Sequence, residues 1–519
     1  MRDDAFAMTP APAAAPTAPA AAASYPIRIG SAEEFARVRD FLKAADFNDL
    51  RVCDVLKLGD MSDLGGVLWD EAPLQELEPR LRWCMQTFGR GTPVDIAMSR
   101  AVCGEETLAA FLSLGLLRPS KGDANLLVSP VWLYPVDGFV IVSDRHDDPE
   151  GGKFVAADDI VFPAIYMGTL RFLKLLPDAH GGDALDLCGG TGVGAMHLAR
   201  TARTAATADL TERCAFFAEF NAKLNGVAVE SLCGDLYGPA HGRQFDVVTV
   251  HPPFVPSVGT SMIYRDAGDT GEAITRRVIE GLPAHLRAGG TCMVVCVGRD
   301  THEQRFEERV RDWLGEAAPN CDIAFAMERT MSVEHIVGQV RKRWHNKIEE
   351  QTRQLTDRLH ALGTRQFAYG ALFVRRWHEP VPEPPVRVNL TQKTVAADFD
   401  RLFAWRRLHR RSGFLQWLTH ARPRFTPEAE LNVRHAQQDG RFVPSEVSFI
   451  VDRGFHSVLK LDAWVVPVVL QFDGETTVGD VLQSARDEAS VPPDFTFEAF
   501  GELVRLMIER EILDVDFPR

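Results

Sequence analysis

The sequence predicts an α/β protein: a parallel sheet with helices on both faces, a mainly helical region before it and an α+β region after it. Three observations predict this class. From Phe154 to about Arg376, short apolar runs alternate with helical segments, the pattern of strands joined by crossover helices. The first of those runs ends in a glycine cluster, "DALDLCGGTGVG", which has the strand-turn-helix grammar of such a sheet. The proline-rich "EPVPEPP" (Glu379 to Pro385) then closes the region as a linker.

Taken in order, residues 1–24 read as a disordered Ala/Pro tail, since two early acids and scattered prolines do not fit a signal peptide. Residues 25–150 form a helical N-terminal region. Within it "TPVDIAMSRAV" and "GEETLAAFLSLGLL" are two short helices, and "ANLLVSPVWLYPVDGFVIVSD" is a hairpin turning at Pro135 to Gly138. Helix, helix, hairpin is the order of a winged helix; a helical cap with a small sheet fits equally.

The central domain, residues 151–378, takes its strands from "DALDLC", "AATAD", "VESLC", "FDVVTV" and "GTCMVVCVG". "CDIAFAME" and "FAYGALFVRR" are expected as antiparallel edge strands. One polar amphipathic helix, "QVRKRWHNKIEEQTRQLTDRLHALG", is expected between them, either solvated or reaching toward substrate. After the linker at 379–385, residues 386–519 form an accessory α+β domain with a basic segment, "WRRLHRR".

Composition narrows the function. The chain is 45% hydrophobic and 25% charged, with a formal charge of −15, so its overall charge does not invite nucleic acid or an anionic membrane. No apolar run nears the ~18 residues of a membrane span. The nine cysteines form no CxxC pair and no zinc-like set, so no metal site is predicted. Cys292 and Cys296 flank an apolar run and read as buried thiols, which fits a cytoplasmic location.

The chemistry is concentrated at strand ends. Gly189, Gly190, Gly192 and Gly194 let the chain turn sharply and open a helix whose free N–H groups face a ligand. Asp209 ends the next strand, where a carboxylate can hold ribose hydroxyls. Gly190, Gly192 and Ala195 also satisfy the GxGxxG/A spacing of a dinucleotide site, so the glycines alone leave the cofactor open. Asp235 after the third strand, placed to accept from an adenine amino group, and the rigid "HPPF" turn after the fourth favour a different cofactor.

Together, Leu185 to Gly192, Asp209, Asp235 and "HPPF" resemble the class I S-adenosylmethionine-dependent methyltransferases, and more narrowly their small-domain branch of HemK-type and RsmC-type enzymes. "EFNAKLNG" is similar to that branch's NA-x-x-NG helix end, and "LRAGG" to its L-x-P-G-G turn. The resemblance spans about Asp183 to Gly298 and implies a Rossmann-like domain that binds S-adenosylmethionine. It implies cofactor contacts from Asp186, Cys188, Gly189, Gly190, Gly192, Asp209, Leu210, Asp235, Leu236 and His251. The acceptor is implied to sit against His251, Pro252, Pro253 and Phe254. There the prolines stiffen the turn and leave carbonyls as acceptors, and Phe254 stacks on a planar group.

Two positions depart from the branch. Cys188 stands where its first loop glycine usually is. His251 replaces the usual Asn, Asp or Ser, so three roles stay open for it: hydrogen-bond acceptor, base, or packing. The expected reaction is N-methylation of a planar amide or amine of a protein, peptide or other macromolecule, with the N-terminal region selecting the substrate. Methylation of a small molecule at N or O is the alternative, followed by an RNA or DNA base. Binding of S-adenosylmethionine without catalysis fits the intact Asp209, Asp235 and "HPPF" set poorly.

Overall fold

The computed structural model describes residues 25–256, 267–268, 270–343, 349–380 and 383–517. The expected tail over 1–24, Ser257 after the proline turn, and Val381 and Pro382 of the linker lie outside the described residues. Two compact units share the chain. One runs to Cys321 and adds Met331–Tyr369 and Arg376–Pro382; the other holds Asp322–Thr330, Gly370–Arg375 and everything from Glu383 on. Residues on both sides of the boundary expected at 150/151 lie in the first unit, and Asp322–Thr330 and Gly370–Arg375 of the expected 151–378 domain lie in the second.

In the first unit, helix Ala32–Ala44 starts at Ser31, whose hydroxyl accepts from Glu34 N–H while the Glu34 carboxylate accepts from Ser31 N–H. Strand β1 (Val94–Asp95) leads into helices Ile96–Cys103 and Glu105–Ser113, followed by β2 (Arg118–Pro119) and β3 (Leu126–Val128). The order β1-β3-β2 is antiparallel, with two helices between β1 and β2. The hairpin expected over 124–144 is thus split, because Leu126–Val128 joins this small sheet. The remainder is a two-stranded hairpin of β4 (Trp132–Val136) and β5 (Phe139–Ser143). Its turn is Asp137-Gly138 with φ of +53° and +71°, the pair that a two-residue turn of right-handed twist requires.

The central sheet uses β6 (Asp183–Leu187), β7 (Thr204–Asp209), β8 (Glu230–Cys233), β9 (Phe245–Val250) and β10 (Leu286–Thr301). The order is β8-β7-β6-β9-β10 with every pairing parallel. Strand β10 is longer than the expected "GTCMVVCVG", because "LRAGG" forms a bulge inside it. Leu286 pairs with Phe245 and Thr291 with Val247, so extra residues loop out between them. β11 (Cys321–Met331) and β12 (Thr364–Arg376) follow, and residues 364–369 stand beside β10. Between them the single expected helix is two, Val333–Arg343 and Glu349–Ala361, with 344–348 outside the described residues.

In the second unit, residues 322–330 of β11 are not an edge. β13 (Val386–Leu390) runs parallel beside them, from Ala324↔Val386 to Met327↔Asn389. β14 (Arg424–Phe425) pairs with the late strand β18 (Leu513–Asp514). β15 (Glu430–Gln438), β16 (Arg441–Asp452) and β17 (Phe455–Leu461) form an antiparallel meander that continues from β13. Helices Ala396–Leu408, Val478–Asp487 and Phe497–Glu509 bury Trp405, Phe449, Phe500 and Met507 in one core. The basic "WRRLHRR" segment turns inward: Arg406 and Arg410 meet the fully buried Asp322 at 3.0 and 2.8 Å, and both also meet Glu383. Removing one member of such a buried cluster costs about 3–5 kcal/mol, so this segment is structural rather than a free basic patch.

Candidate functional site

Sheet order reverses between β6 and β9, and in open parallel sheets ligands bind outside the carboxyl ends at that point. The glycine loop and the "HPPF" turn leave the sheet there, side by side.

The loop is shaped by close approach. A Cβ on Gly189 would lie 1.9 Å from Thr207 Oγ1, so only glycine fits. Gly190 and Gly192 have φ of +53° and +80°, and Gly192 packs on Ala218. Cys188 is also left-handed at φ +55°, which explains why glycine usually stands at that place and marks a strained departure. Its thiol is pushed well up by burial, so it is no thiolate.

Three carboxylates surround the loop. Asp209 accepts from Gly190 N–H at 2.9 Å and so ties the loop to the end of β7. Asp186 is buried at the end of β6 and accepts from Thr249 Oγ1 at 2.8 Å; desolvation pushes its pKa up to about 7. Asp235 pairs with Arg277 at 2.6 Å, both about half exposed. Leu210, next to Asp209, leaves 53% of its surface exposed, an apolar face beside the carboxylate. Leu236, next to Asp235, is held at φ +49°.

The turn after β9 is built of rings. His251 stacks with Phe172 (centroids 5.5 Å apart, planes at 20°) and with Phe254 (6.2 Å, 25°). Phe254 also meets Tyr369 of β12 at 5.9 Å. A Cβ on Gly168 would be 3.6 Å from His251 Nε2 and 3.5 Å from the Tyr369 hydroxyl, so histidine and tyrosine border one small space. Desolvation lowers the His251 pKa to about 4, which leaves the imidazole neutral at ordinary pH. Pro252 is buried and Pro253 partly so. The turn is anchored from behind, where Val255 C=O accepts from Ala267 N–H.

Beneath the loop, Asn221 is fully buried. Its side-chain oxygen accepts from Val142 N–H at 2.8 Å, and its amide donates to Val142 C=O and to Thr191 C=O, both at 2.9 Å. Asn225 treats Val140 in the same way, at 2.9 and 2.8 Å. The "NAKLNG" asparagines thus complete the open edge of β5, and Asn221 adds the glycine loop to that seam. Arg213 pairs with Asp144 across the same junction.

Every residue predicted for the cofactor or acceptor lies at this switch point or on the strand ends beside it. Sequence reasoning missed Thr207, Thr249, Arg277, Phe172 and Tyr369, which touch those residues from other segments. None of the five sits in a local pattern that would have marked it.

Carboxylates around a glycine loop, with an exposed aliphatic side chain beside them, fit a cationic nucleoside cofactor. Thr207 Oγ1, buried with no partner among the described residues, faces the glycine cradle. Residues 161–317 match the family described as "Methyltransferase small domain". A curated relative, the ribosomal protein uL3 glutamine methyltransferase of Bradyrhizobium diazoefficiens, is 25% identical over 191 residues. That match covers 32% of this chain and 59% of the relative. Among solved structures, a ribosomal protein L11 methylase from Lactobacillus delbrueckii subsp. bulgaricus matches at 16% identity and TM-score 0.22, over 38% of this chain and 71% of that one. Trm5b from Pyrococcus abyssi matches at 14% and 0.30, over 49% and 59%. Around this site, residues 161–317 form a Rossmann-like methyltransferase small domain of the class I S-adenosylmethionine-dependent methyltransferases, with S-adenosylmethionine as its cofactor.

Proposed function

We propose that the chain is an active methyltransferase that methylates a nitrogen of a planar amide or amine in a protein or peptide. The observation that supports this reading best is that the turn carrying the ring-stacked His251 leaves β9 beside the Asp209-braced glycine loop that follows β6. The curated relative's glutamine acceptor supports the amide class.

Bound S-adenosylmethionine supplies an electrophilic methyl group on a sulfonium centre. The chain's residues do the rest. Asp209, and Asp186 once ionised, make the site favourable to a cation, while Leu210 offers an adenine an apolar face. Phe254 stacks on the acceptor plane, and the carbonyls of the proline turn accept its N–H groups, which aims the nitrogen lone pair at the methyl carbon. His251 Nε2 accepts a hydrogen bond or the proton released from nitrogen, a role open only to a neutral ring. The ring cluster keeps water from the reacting centre.

Nucleic acid is disfavoured. Helix Glu105–Ser113, in the place of a reading helix, opens with two glutamates already engaged by Arg100 and Arg37.

The test is incubation of the purified protein with methyl-labelled S-adenosylmethionine and extract separated into protein, nucleic acid and small-molecule fractions. Label on a nitrogen in the protein fraction is expected. Label confined to small molecules or nucleic acid would overturn the acceptor class, and no transfer to any fraction would overturn the activity.

A further inference from the structure

Strand β15 ends the sheet of the second unit, with β16 as its one neighbour among the described residues. Open edges of this kind are usually blunted by proline, by a bulge or by an inward charge. Residues 430–434 contain no proline, and the β15–β16 register shifts only after Arg434. Over residues 430–434 this edge is regular, with its two charges at the ends of the segment.

Its two faces differ. Leu431 lies opposite Phe449 and Val433 opposite Val447. The two β16 residues are buried at 2% and 5% exposure, whereas Leu431 and Val433 remain 40% and 43% exposed. The apolar row of the core therefore runs on to the edge, one strand beyond its cover. Glu430, Asn432 and Arg434 alternate on the other face, all exposed. Neither Glu430 nor Arg434 forms an ion pair among the described residues.

We propose that the β15 edge pairs with the same edge of a second copy, antiparallel about a two-fold axis at Asn432. The sequence of the strand selects this occupant and this register. Centred on Asn432, Glu430 faces the partner's Arg434 twice, and Leu431 faces the partner's Val433 twice. Opposite charges then meet on one face and aliphatic side chains on the other. Moving the centre by one residue loses this match: about Val433, Glu430 meets Ala436 and Leu431 meets His435; about Leu431, Glu430 meets Asn432. A two-fold interface must be self-complementary, and this five-residue segment is so in one register. The contact is short, at the weak and transient end of interface sizes, so the dimer is reversible.

Sedimentation velocity of the full-length protein from about 1 to about 100 μM tests this. The wild type is expected to pass from monomer to dimer over that range. Arg434→Glu and Glu430→Arg each put like charges opposite twice, and each should raise the dissociation constant about tenfold or more. The double variant Glu430→Arg/Arg434→Glu reverses both charges together and should restore the wild-type constant. Because it rescues the single variants, the result separates pairing from misfolding. A wild type that stays monomeric overturns the proposal and leaves the edge to a partner of another sequence. A dimer indifferent to either reversal overturns it by placing the interface elsewhere. A double variant that stays weak overturns the register.

Discussion

The Asp209 carboxylate holds the backbone N–H of Gly190 at 2.9 Å, so one side chain at the end of β7 fixes the shape of the glycine loop that follows β6. Asp209→Ala removes the loop anchor and the expected ribose acceptor together. Affinity for S-adenosylmethionine should fall by about 1–3 kcal/mol in calorimetry. Asp209→Asn, which keeps an acceptor without its charge, should lose less. Equal affinities for all three proteins would remove Asp209 from the cofactor site.

Gly189→Ala should cost more than any nearby surface change, because its Cβ would lie 1.9 Å from Thr207 Oγ1. Overpacking of this kind costs about 1–3 kcal/mol and distorts the cradle. Adding Thr207→Ala removes the clashing oxygen, which has no partner to lose, and should recover part of both thermal stability and cofactor affinity. The Thr207 Cβ stays 3.2 Å away, so the recovery is incomplete.

Acid should spare the acceptor turn longer than an ordinary histidine would allow. With the His251 pKa lowered to about 4 by burial, the neutral ring persists well below the usual 6.5. The acid limb of turnover is expected near pH 4 to 5, as far as stability permits, with no step near 6.5. On a holding role His251→Asn keeps substantial activity; on a base role it is nearly dead with cofactor affinity intact. His251→Ala with wild-type turnover would reduce the ring to packing.

Asp186 gives the opposite sign. Its carboxyl is raised by burial from an ordinary 3.8 to about 7. The neutral form therefore stabilises the cofactor-free fold fully below the ordinary value, and that contribution is lost as pH rises through 7. Melting of the free protein should fall by roughly 3 °C or more between pH 5 and 8, and Asp186→Asn should flatten the slope. A bound cation favours the carboxylate, so cofactor affinity should rise over the same window. A flat affinity profile would show that Asp186 does not sense the cofactor.

The N-terminal region should not be separable from cofactor binding. From sequence, residues 25–150 read as a module that selects substrate and leaves the cofactor alone, but Asn221, Asn225 and Arg213 all spend their polar groups on its residues. A chain beginning at Gly151 should be poorly soluble and should bind S-adenosylmethionine weakly, checked by calorimetry on whatever soluble protein is obtained. Wild-type affinity in that truncation would show that the seam does not support the loop.

What was legible in the sequence follows from distance along the chain. Strands β6 to β9 and the glycine loop are local patterns, apolar runs stopped by glycine or proline, and they lie within a residue or two of their expected places. The positive φ at Gly190 and Gly192 was legible for the same reason. Arg277 beside Asp235, Tyr369 beside Phe254 and Asp322 beneath "WRRLHRR" were not, because each pair is joined only by folding. β11 reads as an edge in the sequence because its neighbour β13 lies beyond a proline linker. The expected hairpin failed at Leu126–Val128 because β1, which those residues pair with, is two residues long and leaves no periodicity to read.

The asparagine seam also orders events during synthesis. Val142 and Val140 need partners 79 and 85 residues further along the chain. As the protein emerges, the β4–β5 hairpin forms at its own turn, but its outer edge stays open until helix Glu212–Asn225 has left the ribosome. Through that interval of several seconds, at synthesis rates of about 5–20 residues per second, the nascent chain exposes an unfinished strand edge. The outer edge of the β4–β5 hairpin is therefore completed only when helix Glu212–Asn225 of the methyltransferase small domain is present.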